Sequence, residues 1–501
     1  MKTYDLVVIG SGAGLTVLNA GLRRRLNCAL VESNKVGGTC LTRGCIPSKI
    51  LVHPASLIRE AQHAKKVGIQ FRYETDWGVI QERMWSQINE SIEIEKNLSQ
   101  ISNMDVYRGV GEFVADYTLR VKLNDGNGYS EELTGEKIVI ASGARSFVPP
   151  ISGLNEVGYV TSDTFFGEKF PIKLWNSLVV IGGGVIAVEF AHIFSSFGTK
   201  IKIVEMNPRL VSTEEPEVSD FLEANLKRSM EVYTNSKAVA TRLEDNDKVV
   251  TVENVDNGEQ TDIRGEEIFV ASGRRSNADL LKIQKTGVEV DNRGWIKTNE
   301  FLETNVKNIW CIGDANGGMQ LRHRANYDAE ICIHNLFSKE EERLRVDYSV
   351  TPWAIYSYPE IGHVGMTEEE ALKAGYQIYV AIKHFSSVAK GYAMGISEKD
   401  IDDGFVKLIV GKNRKILGAH IVGPHADVLV QPFVYLMNAG FKCTISEESE
   451  RRKIERLSHP CPESGTFAPI ENSMVIHPSL NEVTAWAIGS LRPVNIENDS
   501  S

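Results

Sequence analysis

A strand running into a glycine turn and then a helix occurs twice in this chain, and that duplication restricts the fold more than any other feature. Tyr4-Asp-Leu-Val-Val-Ile-Gly10-Ser-Gly12-Ala-Gly14 leads into a helix to about Arg25, and Ser177-Leu-Val-Val-Ile-Gly182-Gly-Gly184-Val-Ile-Ala187 leads into another to about Phe197. In each unit the next strand closes on a carboxylate, Glu32 at 22 residues past Gly10 and Glu205 at 23 past Gly182. Glycines so placed let backbone N–H groups approach a pyrophosphate, and the helix N-terminus stabilises its charge. The distal carboxylate is positioned to accept hydrogen bonds from an adenosine ribose. One such pattern is weak, but two complete copies predict an α/β protein with two Rossmann-like dinucleotide-binding domains. The first copy carries Leu15 in place of the third small residue, which predicts wider strand–helix spacing, relieved in part by Gly14.

At 501 residues the chain has room for about three domains of about 150 residues each. Its 55 basic against 66 acidic residues leave a net charge of −11 and no electrostatic reason to seek nucleic acid. The longest apolar run, Leu178 to Ala191, contains Glu189 and falls short of the roughly 20 residues that cross a membrane. Leu6 to Ile9 is too short for the apolar core of a secretory leader and follows Asp5 rather than basic residues. A cytoplasmic protein is expected.

Between and after the two units, Lys137-Ile-Val-Ile-Ala-Ser-Gly143 and Glu267-Ile-Phe-Val-Ala-Ser-Gly273 resemble each other as strand-to-glycine junctions, and Ile309-Trp-Cys-Ile-Gly313-Asp314 is a short strand closing on Gly-Asp. From about Tyr348 the pattern changes to alternating strands, Phe405 to Val410 and Ile416 to Val422 among them, with amphipathic helices, which predicts a third domain. Residues 444 to 473 are polar and proline-interrupted, predicting a long loop or helical insertion, and the final residues read as a frayed tail.

Seven cysteines are too few for a disulfide-built scaffold. Cys28, Cys311 and Cys332 lie in apolar or helical stretches and read as small buried hydrophobes, while Cys443 and Cys461 stand alone in a polar region. Cys40 and Cys45 differ. They sit in Gly37-Gly-Thr-Cys40-Leu-Thr-Arg-Gly44-Cys45-Ile-Pro47-Ser-Lys49. On one regular helix, residues five apart have Cα atoms roughly 8 to 9 Å apart, beyond the roughly 7 Å reach of a disulfide. A bridge therefore requires an irregular backbone, which Gly44 permits. A thiol at the N-terminus of the helix that follows has a lowered pKa, so Cys45 is expected to persist as thiolate. Metal binding is the rival reading, but no second cysteine pair with ligand spacing accompanies it, and no metal is expected.

The stretch from Gly37 to Lys49 resembles the redox-active disulfide motif of the flavin-dependent pyridine nucleotide-disulfide oxidoreductases, particularly the dihydrolipoamide dehydrogenases. The likeness extends over nearly the whole chain, through the paired glycine turns, Gly313-Asp314, Tyr358-Pro-Glu-Ile361, Gly418-Ala-His-Ile-Val-Gly423 and His477-Pro-Ser-Leu-Asn-Glu482. What it implies is an FAD domain over 1–150 and 276–347, an NAD domain inserted at 151–275, a C-terminal α+β dimerisation domain over 348–487 and a tail over 488–501. FAD would lie along Gly10, Gly12, Gly14 and Glu32, with Gly38, Thr39, Gly111, Ser142, Gly143, Asp314 and Arg322 in the same cofactor set and the Cys40–Cys45 bridge beside the isoalloxazine. Lys49 would approach the flavin and pair with Glu189. NAD(H) would lie along Gly182, Gly184 and Gly273, with Glu205 on its ribose, where a carboxylate repels the 2′-phosphate of NADP.

The resemblance further implies that hydride passes between nicotinamide and flavin, that Cys45 is the thiolate facing the flavin, and that Cys40 exchanges with a dithiol or disulfide substrate. His477, oriented by Glu482, would be the acid–base residue, supplied by the other subunit of a homodimer. The leading substrate the resemblance implies is dihydrolipoamide, with the lipoyl domain of a 2-oxoacid dehydrogenase-type complex as the partner that would carry it. The alternatives are a reductase of a mycothione-like small disulfide, and a flavoprotein NADH oxidase or electron carrier. Thr42-Arg43 replaces the Asn-Val common between the cysteines of relatives, Ser276 stands where proline often follows Gly-Arg, and the polar 444–473 segment is unusually long. These departures bear on the approach channel, where substrates are told apart.

Overall fold

Strands buried on both faces need helices on both sides and pair in parallel, and the two glycine-bearing strands do this. The computed structural model describes residues 1–398, 400–411, 415–439, 469 and 472–478. The strand Lys2–Ile9 pairs in parallel with Cys28–Glu32 on one side and Leu133–Ile140 on the other, and Met104–Ala115 and Ile309–Cys311 extend the sheet outward. Thr118–Leu123 crosses back antiparallel to pair with both Met104–Ala115 and Leu133–Ile140.

In the second sheet Ser177–Ile181 lies between Lys200–Val204 and Glu267–Val270, with Glu231–Tyr233 and Val160–Thr161 at the edges, all parallel. An antiparallel meander, Ser236–Glu244, Asp247–Asn254 and Gln260–Gly265, lies between its fourth and fifth strands in sequence. A short antiparallel pair, Ala144–Ser146 with Arg274–Ser276, joins the chain where it leaves the first sheet to where it returns. The last sheet is wholly antiparallel, in the order Pro352–Ile355, Ile361–Gly365, Ile416–Val422, Phe405–Gly411, Ile378–His384. The fold is therefore mixed α/β, with two Rossmann-like units and a C-terminal sheet.

The two glycine turns are built alike, down to their hydrogen bonds. Gly10 N–H donates to Val31 O and Ala141 N–H to Ile9 O, as Gly182 N–H donates to Val204 O and Ala271 N–H to Ile181 O, each at 2.8 Å. Gly10 has φ +103° and Gly182 φ +113°, and a Cβ there would stand 2.2 Å from Ala141 O or 2.4 Å from Ala271 O. No side chain fits at either position, so the chain needs glycine to turn over the end of the neighbouring strand.

Beyond the turns the two units diverge. A Cβ on Gly38 would lie 2.4 Å from Gly12 Cα, so the short helix Gly38–Thr42 passes directly over the first turn. Over the second turn the space is open: a Cβ on Gly184 would meet nothing within 4 Å, and Val185 is 39% exposed.

The wider spacing expected from Leu15 does not occur. The helix Gly14–Arg23 lies close on its strand, because a Cβ on Gly14 would stand 2.8 Å from Val8 Cγ1 and one on Gly21 2.7 Å from Leu6 Cδ2. The role of the missing small residue has moved one position along. No helix among the described residues is long and apolar enough to cross a membrane. Glu482, the tail and most of the 444–473 segment lie outside the described residues.

Candidate active site

The predicted irregularity between the cysteines is present. The helix Gly38–Thr42 ends at Arg43, the helix Cys45–His63 begins two residues later, and Gly44 joins them with φ −142° and ψ −117°. A Cβ on Gly44 would crowd Thr39 O at 2.9 Å. The break brings Cys40 Sγ, Cys45 Sγ and a ring nitrogen of His477 within 4.8 Å of one another.

Cys45 is the first residue of a 19-residue helix, where the unsatisfied N–H groups favour negative charge. Its thiol is held below the usual range, first by the hydrogen bond from Cys40 and then by the positive charges of Lys49, His477 and Arg322, against the opposing effect of burial. Cys45 is thus the sulfur that keeps a negative charge. Arg43, the cation introduced between the cysteines, is turned toward Asp163 at 3.7 Å.

Lys49 lies one turn along the same helix and donates to Glu189 Oε2 at 2.7 Å, while Glu189 Oε1 accepts from Tyr356 N–H at 2.9 Å. The Lys49 ammonium also stands 4.4 Å from the centre of the Tyr356 ring. The ion pair is largely buried, with side-chain exposures of 20% for Lys49 and 9% for Glu189. Lys49→Met leaves the carboxylate without its cation, and a loss of about 3–5 kcal/mol in unfolding free energy is expected. Denaturant unfolding checks this, and Lys49→Met/Glu189→Gln should recover most of the loss; an unchanged midpoint in the single variant would show that the pair contributes nothing.

The sulfurs face a continuous cleft of about 2150 Å³ that runs past both glycine turns. Of the expected cofactor residues, Gly10, Gly12, Glu32, Gly38, Thr39, Lys49, Gly111, Ser142, Gly143, Asp314, Arg322, Gly182, Gly184, Glu205 and Gly273 all border it. Gly14 does not; it packs helix on strand. The carboxylates of the two units do matching work. Glu32 accepts from Ser11 N–H, Ser11 Oγ–H and Asn34 N–H at 2.9, 2.5 and 2.7 Å. Glu205 accepts from Gly183 N–H and, at 2.7 Å, from Asn207 N–H. Each staples the turn while facing the cleft.

The residues present fit a flavin dinucleotide. Ser142 Oγ is buried at the cleft wall with no hydrogen-bond partner among the described residues, and burial pushes the Asp314 carboxyl above its usual range. Both are groups that a polar ligand would satisfy.

His477, which the resemblance names as the acid–base residue, does reach the sulfur pair: its Nε2 lies 3.2 Å from Cys40 Sγ. Local docking holds its segment in place. Ile476 is buried against Val350, Val364, Val430 and Val434, Gln431 bonds both Met474 O and Ile476 N–H, and Tyr356 O–H donates to Pro478 O at 2.6 Å. Two contributors escaped the sequence reading. Ser11 sits at a position of the glycine pattern that carries no constraint, and Tyr356 has no motif signal; its bonds to Glu189 and Pro478 form only in the folded chain.

Two family models match this chain: Pyridine nucleotide-disulphide oxidoreductase over residues 4–329, and the dimerisation domain of that name over residues 351–451. Mycothione reductase of Mycobacterium tuberculosis (strain ATCC 25618 / H37Rv) is 31% identical over 458 residues, covering 88% of this chain and 94% of that protein. Dihydrolipoyl dehydrogenase of Bacillus subtilis (strain 168) is 30% identical over 440 residues, covering 85% and 90%. Among solved structures, the Cu(II) complex of the HOCl-induced flavoprotein disulfide reductase RclA from Escherichia coli superposes with a TM-score of 0.74 at 27% identity, covering 98% of this chain and all of that one.

Proposed function

The chain belongs to the pyridine nucleotide-disulphide oxidoreductase family, and from that premise we propose that it passes electron pairs between NAD(H) and a dithiol or disulfide substrate through Cys40 and Cys45, with dihydrolipoamide as the leading substrate. The family uses FAD and a pyridine nucleotide. The observation that carries the reading is the convergence of both sulfurs and an imidazole at a cleft shared by two dinucleotide turns.

On this reading FAD lies along Gly10, Gly12 and Glu32 toward Asp314, and NAD(H) along Gly182, Gly184 and Glu205, which assigns 1–150 and 276–347 to the flavin, 151–275 to the nicotinamide nucleotide and 348–487 to dimerisation. Bound FAD supplies a two-electron relay between the nicotinamide and the sulfur pair. In the direction of disulfide reduction, His477 takes the proton of Cys40, whose thiolate attacks one sulfur of the substrate, breaking its S–S bond and forming a mixed disulfide. His477 then gives that proton to the departing sulfur. Cys45 thiolate attacks Cys40 Sγ, closing the Cys40–Cys45 bond and releasing the second substrate sulfur as a thiolate that takes its proton from solvent. The substrate gains the two electrons that the pair loses. In the direction of dithiol oxidation these transfers run in reverse. Lys49 and Arg322 hold the charge of Cys45 throughout, and the dimerisation-domain match supports a homodimer.

Glu205 supports NAD over NADP, because a carboxylate repels the 2′-phosphate. Arg209, the nearby cation, is engaged by Asp220 at 2.7 Å. Glu205→Ser is expected to raise the KM for NADH about tenfold, the cost of about one charge-assisted hydrogen bond, and to narrow the preference over NADPH. Steady-state kinetics with both nucleotides reads the change, and a preference that does not narrow would remove Glu205 from nucleotide selection.

The deciding experiment compares dihydrolipoamide with NAD against small disulfides with NADH. Turnover of dihydrolipoamide is expected; turnover of a mycothione-like disulfide alone would favour the second reading, which the likeness to mycothione reductase supports. Anaerobic NADH should raise long-wavelength absorbance in the yellow protein, and Cys45→Ser should abolish the rise. NADH consumption with oxygen and no such absorbance would overturn the disulfide chemistry in favour of an oxidase.

A further inference from the structure

Apart from the sulfur site, three donor groups converge in the interior where the second nucleotide-binding unit meets the C-terminal sheet. Glu214 lies just before the helix Pro216–Leu226, and His363 and His420 face each other as a cross-strand pair between Ile361–Gly365 and Ile416–Val422. The side chains of Glu214, His363 and His420 are at most 1% exposed.

The hydrogen bonds on the far side of each ring fix where the protons are. His363 Nε2 lies 3.0 Å from Gly365 O, and His420 Nε2 lies 3.0 Å from Met366 O. A carbonyl oxygen only accepts, so both Nε2 atoms carry hydrogen. In the neutral rings both Nδ1 atoms are then bare lone pairs. Yet these two Nδ1 atoms face each other at 3.1 Å, and His363 Nδ1 also faces Glu214 Oε2 at 2.9 Å. Three electron-rich atoms meet with no hydrogen assigned among them, an arrangement that is repulsive unless a cation occupies it.

The surrounding charge points the same way. Glu215, Glu217 and Glu368 all bind one ammonium, that of Lys407, at 2.9, 3.0 and 2.8 Å. With Glu214 this makes four carboxylates against one lysine. We propose that Glu214, His363 and His420 form a binding site for a divalent transition-metal ion of the zinc class, which ties the second nucleotide-binding unit to the C-terminal sheet.

The dimensions and the supporting groups fit. Ligands about 2.0–2.1 Å from a tetrahedral ion stand about 3.3 Å from one another; the His363–His420 and His363–Glu214 pairs, at 3.1 and 2.9 Å, are within a few tenths of an ångström of that, and all three donors lie within 4.8 Å of one another. Two imidazoles with a carboxylate suit zinc, cobalt and their neighbours. Each ligand is already oriented from behind: both imidazoles donate to backbone carbonyls, Glu214 Oε1 accepts from Trp353 Nε1–H at 2.6 Å, and the Trp353 ring stacks on His363 with centroids 3.5 Å apart. Such outer bonds are what hold histidine ligands in place at metal centres. Glu214 and His363 also border the cleft. Sequence spacing gives no sign of such a site, because these ligands are scattered over 207 residues, from Glu214 to His420.

The test uses the full-length flavin-loaded protein with its thiols alkylated, so that Cys40 and Cys45 cannot bind metal. Cobalt(II) is added after dialysis against chelator. One ion per chain is expected, with the visible bands of tetrahedral nitrogen–oxygen coordination and no sulfur-to-cobalt band, displaceable by zinc. His363→Gln and His420→Gln should each abolish this spectrum, and Cys40→Ser should leave it intact. Failure of the wild-type protein to bind cobalt would overturn the proposal and leave a proton, as a His363 imidazolium, filling the gap. Binding that survives both histidine changes would also overturn it. Should those variants not fold, X-ray absorption of the zinc-loaded wild-type protein decides: a shell with two imidazoles supports the site, and one without them rejects it. None of these readouts depends on redox activity, so failure here leaves the disulfide reading standing.

Discussion

Cys40→Ser is expected to abolish dithiol–disulfide turnover, by at least about four orders of magnitude, while reduction of an artificial dye by NADH continues. Thiol–disulfide exchange needs a thiolate nucleophile and a sulfur that can be attacked in turn. A serine hydroxyl, with no accessible ionisation near neutrality, supplies neither. Loss of a nucleophile that works with its neighbours as a unit removes nearly the whole catalytic effect. The hydroxyl is nevertheless close in shape to the thiol and still offers a donor beside Cys45. The charge of Cys45 should therefore survive, and alkylation of Cys45 in this variant should retain a pH midpoint below that of an ordinary thiol. Because the folded-state pKa is lowered, the thiolate is present above that midpoint and is lost as pH falls through it. Retained disulfide turnover in Cys40→Ser would show that another group meets the substrate.

Replacing His477 by glutamine should lower turnover by about 10²- to 10⁴-fold, the usual contribution of a positioned acid–base group. His477 also lowers the pKa of Cys45 through its charge, so in Cys40→Ser/His477→Gln the alkylation midpoint should move upward. A role limited to packing would not move it. A heterodimer pairing one Cys40→Ser chain with one His477→Gln chain, isolated by different tags, reads which subunit supplies the histidine. About half of wild-type activity is expected, because with the histidine exchanged between partners one of the two sites is whole. An inactive heterodimer would show that each chain completes its own site, as the 3.2 Å approach of His477 Nε2 to Cys40 Sγ within one chain also allows.

The features legible in the sequence were those set by neighbours along the chain. Gly10, Gly182, Glu32 and Glu205 follow from local backbone requirements of a turn between strand and helix, and Gly44 from the need to break a helix between Cys40 and Cys45. The pairing of Lys49 with Glu189 came from family resemblance, since nothing in the spacing of residues 140 apart announces a contact. Leu15 was misleading because close packing can be met by an adjacent glycine as well as by the expected one. Tyr356 and the trio of Glu214, His363 and His420 were invisible for a common reason: each depends on strands and loops that meet only after the sheets are assembled. The approach of His477 to the sulfurs is likewise a matter of where Ile476 finds an apolar seat, which no motif encodes.

The two glycine turns share one hydrogen-bond pattern but differ in what passes over them. On the proposed assignment the first nucleotide is roofed by the Gly38–Thr42 helix, whose backbone touches Gly12, and the second lies against an open surface at Gly184. Identical anchors therefore give unequal residence times: leaving the first turn requires the roof to lift, whereas the second can empty at every turnover. Since Cys40 is part of that roof, the sulfur that meets the substrate also bars the exit of the group behind it, and an enzyme stripped of its flavin should lose order in the redox loop before anywhere else.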